Sequence, residues 1–404
     1  MKARYLLAGA ISALIAASPL AAQDRSVLPI PAPAFDGQIA DNVLDSRPGS
    51  ARPVQAPQGA PNVFLVMSDD VGFAMSSAFG GPVPTPNMER LAARGQRYNR
   101  FHTTGICSPS RAALLTGRNH HKAGVGYLSD LPMAFPGYGG RMLPETATIA
   151  QVLRLNGYNT AMWGKHHNVP SEERSEAGPF DAWPTGIGFE YFFGFVNGDT
   201  DQFQPNVYRG IHRVDQADGA GRMLEERFTD DIVRWLHNQA AGNPDKPFLL
   251  YYAPGSTHAP HQARPEAIAR FKGRFDQGWD RLREETFRRQ LAMGMVPRGT
   301  KLTARPQGIA AWDSLTPGQQ AFAARAMEVA AAQLAMQDEH LGRILDELGR
   351  MGKLDNTLVA VINGDNGASG EAGPRGTNNE LRSMGTHDER EEWLHANIDK
   401  PGWP

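Results

Sequence analysis

Residues 62–70 of this 404-residue chain, NVFLVMSDD, carry its clearest fold signal. The apolar run at 63–67 has no polar break, which is typical of a central parallel strand covered on both faces. Two acids, Asp69 and Asp70, follow at once. Open α/β sheets bind their ligands at the carboxyl ends of their strands. The stretch therefore predicts a buried strand that delivers two carboxylates to a site.

The same order, an apolar strand and then polar residues, recurs along the chain. Strands are predicted at 158–162, 248–253 and 356–362, and they lead into WGKHH, STHAPH and NGDNG. We also expect a strand over 97–102. Helical segments alternate with these strands, so the fold class is α/β, with a large, mostly parallel sheet and helices on both faces.

Three helices are predicted from end signals and periodicity, at 85–95, 148–156 and about 318–351. The buried face of the longest is marked by the i, i+3, i+4, i+7 pattern of Leu341, Ile344, Leu345 and Leu348. The charged and aromatic segment at 264–307 is interpreted as a helical insertion over the site.

The N-terminus predicts export. Lys2 and Arg4, the apolar stretch at 5–15 and small residues up to Ala22 are typical of a secretory signal peptide, assigned to residues 1–22. We therefore expect a bacterial periplasmic or secreted protein. An N-terminal membrane anchor is the alternative, but the apolar stretch is short for a membrane span. No later segment is long and apolar enough, so no stable membrane insertion is expected.

Composition narrows the class of protein further. Residues 23–61, rich in Pro, Ala, Gln and Gly, predict an extended arm before the main domain at 62–373. A formal net charge of -2 with no long basic run argues against nucleic acid as a partner. A single cysteine, Cys107, rules out an internal disulfide framework, so reactivity explains this residue better than architecture.

Cys107 begins the run CSPSRAALLTGR, residues 107–118. Ser108 is a good N-cap and Pro109 suits the first helical position, which places Cys107 just outside a helix N-terminus. Unpaired backbone N–H groups and the positive end of the helix dipole favour an anion there. The alternative is an inert, buried thiol that happens to precede a helix.

Asp69, Asp70, Asp365 and Asn366 follow two predicted strands. An all-oxygen set of carboxylates and an amide suits a hard cation such as Ca²⁺. Taken alone, the Asp-Asp pair also fits a loop or cap, and Asp-Asn-Gly is first of all a turn.

The run at 107–118 resembles the signature of the type I sulfatases, the formylglycine-dependent arylsulfatase family of the alkaline-phosphatase-like superfamily. In that family, a formylglycine-generating enzyme or an anaerobic maturase oxidises the cysteine to formylglycine. The resemblance therefore implies an alkaline-phosphatase-like fold, this modification at Cys107 and one Ca²⁺ per chain. The implied metal ligands are Asp69, Asp70, Cys107, Asp365 and Asn366.

Other motifs extend the resemblance. Lys165 and His167 match the Gly-Lys-x-His pattern of the family, with His166 where an aromatic residue is usual, and His258 opens a matching His-x-Pro element. The implied catalytic residues are Cys107, Arg111, Lys165, His167 and His258. Arg111 is expected to pair with the formylglycine hydrate or with a metal carboxylate, although a helix-surface salt bridge is its ordinary role.

The reaction implied by the resemblance is the hydrolysis of sulfate esters. The cation and Lys165 neutralise the sulfate, a hydroxyl of the hydrated aldehyde attacks sulfur with help from Asp365, and His258 protonates the leaving alcohol or phenol. His167 then takes the proton of the second hydroxyl, so that sulfate leaves by elimination. Aryl sulfates are the default substrate, and sulfated sugars and alkyl sulfates stay open.

The segment at 171–222 contributes several large aromatic residues that either line a substrate pocket or belong to the core. They are Trp183, Phe192, Phe193, Phe195 and Tyr208.

The chain also departs from the family pattern. The resemblance implies a further lysine after the Asp-Asn-Gly turn and a small C-terminal antiparallel domain, whereas residues 374–404 are interpreted as a truncated tail. Lys400, in DKPGWP, does not match the lysine motif. From this we expect weakened sulfate binding and an apolar surface left uncovered.

Two alternatives stay open at this stage. One keeps the fold and changes the ester, as a phosphonate monoester hydrolase or phosphodiesterase. The other is a non-catalytic fragment that binds a metal or a sulfated glycan.

Overall fold

The computed structural model describes residues 35–49, 54–368, 370, 373, 376–377 and 390–399. The predicted signal peptide lies outside the described residues. Residues 35–49 belong to a compact unit of their own, where Gln38 and Arg47 form an antiparallel bridge. Within the described part of the chain, no helix has both the length and the apolar character needed to cross a membrane.

A mixed sheet of seven strands organises the described residues from 54 onward. The strands are β1 (Asn62–Met67), β2 (Asn159–Lys165), β3 (Tyr191–Phe195), β4 (Tyr208–Arg209), β5 (His212–Arg213), β6 (Phe248–Ala253) and β7 (Thr357–Ile362). Their order is β5-β4-β3-β2-β6-β1-β7. In this spatial order, the neighbouring pairs β3-β2, β2-β6, β6-β1 and β1-β7 are parallel. The pairs β3-β4 and β4-β5 are antiparallel and form one edge of the sheet.

Helices occupy both faces of this sheet, as the sequence predicts. They are α1 (Pro86–Arg94), α2 (Cys107–Thr116), α3 (Ile149–Leu155), α4 (Leu224–Gly242), α5 (Pro265–Ala269), α6 (Gly278–Ala292), α7 (Pro317–Arg350) and α8 (Glu391–Ala396). Short 3-10 turns lie at Val43–Asp45, Ser77–Phe79, Ser171–Glu173, Gln216–Gly219, Trp312–Ser314 and Leu354–Asn356. Reciprocal capping boxes begin α3 and α7, at Thr148 and Thr316.

The strands are buried because each face of the sheet has its own apolar layer. Phe64 and Val66 of β1 pack in one layer with α4 and α7. Leu65 and Met67, which point the other way, pack in a second layer with α2 and α3. This two-sided burial explains why β1 is an unbroken apolar run rather than an alternating one.

The strand expected over 97–102 is wrong. These residues have no strand pairing, and Tyr98 and Phe101 are exposed. The physical reason is burial, because no residue of this segment belongs to either apolar layer of the sheet.

Two boundaries and one contact add to the sequence expectations. Strand β2 runs on through Lys165, because residues 162–164 pair with both β3 and β6. Helix α2 begins at Cys107 with Ile106 as its N-cap, since the Ser108 hydroxyl accepts a hydrogen bond from the Ser129 backbone N–H (3.2 Å) instead of capping the helix. In the predicted insertion, α6 bonds to the turn at 79–80.

The aromatic residues in the segment at 171–222 are core residues. Each is at most 7% exposed, which favours the core interpretation, although Phe193 also contributes to the wall of a surface cavity. They are Trp183, Phe192, Phe193, Phe195 and Tyr208.

Candidate active site

Four adjacent strands, β2, β6, β1 and β7, end at one edge of the sheet. Because parallel neighbours finish on the same side, their terminal residues meet there. Lys165 ends β2, Asp69 follows β1 and Asp365 follows β7, and all three are fully buried. The turn at 256–258, after β6, is joined to them because the Asp69 backbone N–H donates to the Ser256 carbonyl at 3.1 Å.

Asp69, Asp70 and Asp365 form a compact carboxylate cluster, in which one oxygen from each lies within 4.8 Å of the others. The Asp70 N–H donates to Asp365 Oδ1 at 3.3 Å, and Asn366 Nδ2 donates to Asp70 Oδ1 at 2.8 Å. The backbone of Asp70 is left-handed, with φ of 53°, which is uncommon outside glycine. Burial, and then the charge of Asp69, raises the pKa of Asp365.

Two oxygens at this cluster are suited to bind a cation. Asp70 Oδ2 and Asn366 Oδ1 are buried and have no hydrogen-bond partner among the described residues. Buried acceptors are normally satisfied, and carboxylate and amide oxygens are the ligands that hard divalent cations prefer. The donor set of Asp69, Asp70, Asp365 and Asn366 therefore fits such a cation. Cys107 is not part of the carboxylate cluster.

Arg111 projects from α2 into the cluster and is fully buried. Its Nε donates to Asp365 Oδ2 at 2.9 Å, and its Nη2 forms ion pairs with the same Asp365 oxygen at 2.8 Å and with Asp69 Oδ1 at 3.3 Å. Burial alone would lower the pKa of Arg111, but Asp365 and Asp69 outweigh it and hold the pKa above its ordinary value. The guanidinium thus bridges the ends of β1 and β7 and stays charged.

Lys165 holds the other side of Asp69. Its Nζ donates to both carboxylate oxygens, at 2.9 and 2.8 Å, and its backbone carbonyl accepts from Arg111 Nη1 at 3.0 Å. Burial acts to lower the pKa of Lys165, but the Asp69 charge overcomes it and the net shift is upward. Together the two cations balance two of the three carboxylates.

Cys107 faces a histidine rather than the acids. Its Sγ lies 3.1 Å from His167 Nδ1. Burial raises the pKa of Cys107 to about 12, so the unmodified side chain is a protonated thiol. Burial also lowers the pKa of His167 to about 3, so its ring is neutral at physiological pH. A thiol donor thus meets a neutral ring nitrogen.

Asp130 and Arg174 complete this side of the site, and neither was predicted from the sequence. His167 Nε2 and Asp130 Oδ2 are 2.5 Å apart, and Arg174 Nη1 donates to Asp130 Oδ1 at 2.6 Å. Burial works to raise the pKa of Asp130, but the bonds to His167 and Arg174 prevail and hold it below its usual range. Neither residue follows a strand or lies in a motif, so no local signal could have found them.

His258 lies beside the carboxylate cluster on the turn after β6. Its Nδ1 is 2.7 Å from the Ala259 carbonyl, and its Nε2 is 3.8 Å from Asp70 Oδ2. Glu225 of α4 positions the turn, because it accepts hydrogen bonds from the backbone of Gly255 (2.9 Å) and from Ser256 (3.3 Å). No local sequence pattern predicts this role of Glu225.

His166 points away from Cys107. Its Nε2 is 2.9 Å from the Ala182 carbonyl, and burial lowers the pKa of His166 to about 3. It is therefore a neutral core residue that anchors the segment after β2.

Comparisons with known proteins agree with this arrangement. A family model described as Sulfatase matches residues 61–397. An uncharacterized sulfatase of Schizosaccharomyces pombe is 33% identical over 339 residues, which cover 78% of this chain and 59% of that protein. The arylsulfatase of Klebsiella aerogenes is 32% identical over 325 residues, which cover 78% of this chain and 68% of that protein. The chain thus spans roughly three fifths to two thirds of the length of these relatives.

The fold is also found in solved structures. The structure of yidJ from Bacteroides fragilis aligns with a TM-score of 0.57 at 18% identity, covering 78% of this chain and 66% of that chain. This likeness confirms the alkaline-phosphatase-like fold expected from the sequence. With the fold, the site and the family model in agreement, the chain belongs to the sulfatase family.

Proposed function

We propose that this chain hydrolyses sulfate esters, with aryl sulfates as the default substrate class, and that it uses formylglycine made from Cys107 together with one bound Ca²⁺. The observation that carries the proposal is the joint position of Cys107, which contacts His167 Nδ1 at 3.1 Å, and of a buried cluster of three carboxylates with two cations. Both parts lie at the carboxyl edge of one sheet.

The two groups that the chain must acquire have separate roles. When both are in place, the hydrated aldehyde supplies an oxygen nucleophile and the cation withdraws charge from the sulfate oxygens. Asp69, Asp70, Asp365 and Asn366 would hold the cation. The unpartnered oxygens of Asp70 and Asn366 support this assignment, and an all-oxygen set favours Ca²⁺ over softer metals.

Charge balance supports an anionic ester as the substrate. The three carboxylates outnumber Lys165 and Arg111 by one, so this buried group carries one net negative charge when all five are ionised. A divalent ion turns it into one net positive charge, which complements the single negative charge of a sulfate monoester. The cation is therefore needed before the site can attract the substrate.

Two histidines have positions suited to proton transfer. His167 presents Nδ1 to the side chain at position 107, where it can accept a proton. His258 Nδ1 faces the Ala259 carbonyl, which leaves Nε2 on the side of Asp70 and the substrate edge. We assign to His258 the protonation of the leaving alcohol or phenol.

Export and maturation belong to the same proposal. The signal sequence at 1–22 supports a periplasmic or secreted location. A formylglycine-generating enzyme or an anaerobic maturase is the partner that would modify Cys107 before or during export.

The test begins with the modification itself. The full chain is produced in its native host or with a formylglycine-generating enzyme, and the tryptic peptide 101–111 is examined by mass spectrometry for loss of the thiol. Hydrolysis of p-nitrophenyl sulfate is then compared with hydrolysis of a phosphate diester and of a phosphonate monoester. We expect a converted residue 107 and the highest kcat/KM on the sulfate ester.

Cys107→Ala is the matched control, because it removes the modifiable group while the buried volume changes little. Sulfate hydrolysis is expected to fall by at least about 10³-fold, since the nucleophile is lost. Converted protein that prefers the phosphate diester or the phosphonate would replace the proposed substrate class. Converted, folded protein that hydrolyses none of the esters would support a binding fragment instead.

A further inference from the structure

A continuous chain of polar contacts runs outward from Cys107. Sγ of Cys107 meets Nδ1 of His167, Nε2 of the same ring meets Asp130, and the other oxygen of Asp130 accepts from Arg174. The distances are 3.1, 2.5 and 2.6 Å in that order. Each ring nitrogen of His167 thus has one defined neighbour.

The chemistry of Asp130 determines which ring nitrogen carries the proton. An ionised carboxylate only accepts hydrogen bonds, and the guanidinium of Arg174 keeps this one ionised. Nε2 of His167 must therefore be the N–H donor. In a neutral ring, Nδ1 is then left with a lone pair that faces position 107.

The local backbone supports a fixed ring. His167 has φ of 56°, a left-handed value that a residue with a side chain rarely adopts. The neighbouring segments are tied to the start of α2, since Asn168 Nδ2 donates to the Ser108 carbonyl (2.9 Å) and the Ser129 N–H donates to the Ser108 hydroxyl (3.2 Å). The loops that carry His167 and Asp130 are thus both hydrogen-bonded to Ser108, the residue that follows Cys107.

We propose that Asp130 is a positioning residue that holds His167 in the Nε2–H tautomer, so that the unprotonated Nδ1 receives the proton of the group at position 107. Arg174 holds Asp130 in place and keeps it ionised. The proposal rests on the proposed function for the use of that proton, but the tautomer itself is a property of the unmodified chain.

The decisive variant is Asp130→Asn, which keeps the shape of the side chain. Its amide oxygen can still accept from Arg174, but its NH₂ group then faces Nε2 and donates to it. The ring is forced into the Nδ1–H tautomer, and no lone pair faces position 107. The equivalent change in a Ser-His-Asp triad costs roughly 10⁴-fold in kcat, and we expect a fall of about 10²- to 10⁴-fold here with KM nearly unchanged.

Glu173→Gln is the matched control, on the loop that carries His167 and Arg174. Glu173 accepts from Arg141 at 2.6 Å, an acid–arginine pair like that of Asp130 and Arg174, but it does not contact His167. This variant is expected to keep both kcat and the tautomer. Asp130→Glu, which keeps an acceptor, is expected to retain more kcat than Asp130→Asn.

The tautomer is measured directly on the full chain with unmodified Cys107. Long-range ¹H–¹⁵N correlation spectra of ¹⁵N-histidine protein identify the protonated ring nitrogen, and His167→Gln assigns the signals. We expect Nε2–H in the wild type and in Glu173→Gln, and Nδ1–H in Asp130→Asn.

The inference is overturned if the wild-type ring carries its proton on Nδ1, a measurement that requires no variant to fold. It is also overturned if folded Asp130→Asn keeps the wild-type tautomer, or if its loss of activity is entirely in KM. A wild type with the expected tautomer and no sulfatase activity would instead contradict the proposed function and leave the positioning intact.

Discussion

The two halves of the site differ in how many charged side chains they bury. The strand-end half contains three buried carboxylates, and two of them, Asp69 and Asp365, form direct ion pairs with the buried Lys165 and Arg111. The loop half contains Cys107 and a neutral His167, with its one ion pair, Asp130 and Arg174, at the partly exposed outer end. We therefore expect substitutions in the strand-end half to lower the free energy of unfolding strongly, whereas substitutions in the loop half should lower mainly the catalytic activity.

The largest stability effect is expected for Lys165→Met. The variant keeps the length of the side chain but leaves the buried Asp69 with only the more distant Arg111 as a partner. Removing one member of a buried pair leaves an uncompensated charge, so the free energy of unfolding should fall by about 3–5 kcal/mol. Urea denaturation in the presence of a chelator measures it.

Arg90→Ala is the control for Lys165→Met, because Arg90 pairs with Asp346 at the surface, where both side chains are about half exposed. Its cost should not exceed about 1 kcal/mol. If the two variants cost the same, the contrast between buried and exposed charge fails.

The next effect is stabilisation by the cation. A ligand that binds only the folded chain adds about 2.7 kcal/mol at a hundred times its Kd, so Ca²⁺ should raise the Tm of the chelator-treated protein. Asp70→Asn should abolish this gain. The variant should not destabilise the metal-free protein, because among the described ion pairs Asp70 has no Lys or Arg partner and its charge only adds to the repulsion in the cluster.

Thermal unfolding with and without Ca²⁺ measures both quantities. The same Ca²⁺ response in wild type and Asp70→Asn would remove Asp70 from the proposed cation site.

The smallest stability effect is expected for His167→Gln, in the loop half. Glutamine can still donate to Asp130, and no charge is stranded, so the loss should be about 1 kcal/mol. The kcat of converted enzyme should nevertheless fall by roughly 10²- to 10⁴-fold, because the proton acceptor is gone. Denaturation and steady-state kinetics on one preparation measure both effects, and a stability loss as large as that of Lys165→Met would contradict the division between the halves.

The strand-end half was the more predictable from sequence. Unbroken apolar runs identified β1, β6 and β7, and polar residues immediately after a parallel strand must lie at the carboxyl edge of the sheet. Asp69 and Asp365 are 296 positions apart, yet this rule brought them together, and the structure places both against Arg111. The error at 97–102 shows the limit of local patterns, because a strand also needs a pairing partner and an apolar layer that buries it.

The residues of the loop half could be predicted from the sequence only in part. Cys107 and His167 were found through motifs, but Asp130, Arg174 and Glu225 were not. Asp130 and Arg174 lie on loops without a motif, and Glu225 lies on α4, whose apolar periodicity predicts a helix but not the role of this acid. Their importance comes from contacts with residues 30 or more positions away, and such contacts depend on how the chain returns to the site.

The sequence by itself determined the α/β class, the strands that end in acids and the residue at which chemistry begins, because burial period and strand-end placement are local rules. Tertiary structure alone decided which nitrogen of His167 faces Cys107, which acid holds that ring, and which oxygens are left for a cation. Hydrogen-bond geometry and desolvation depend on atoms brought together from distant parts of the chain, and no local pattern encodes them.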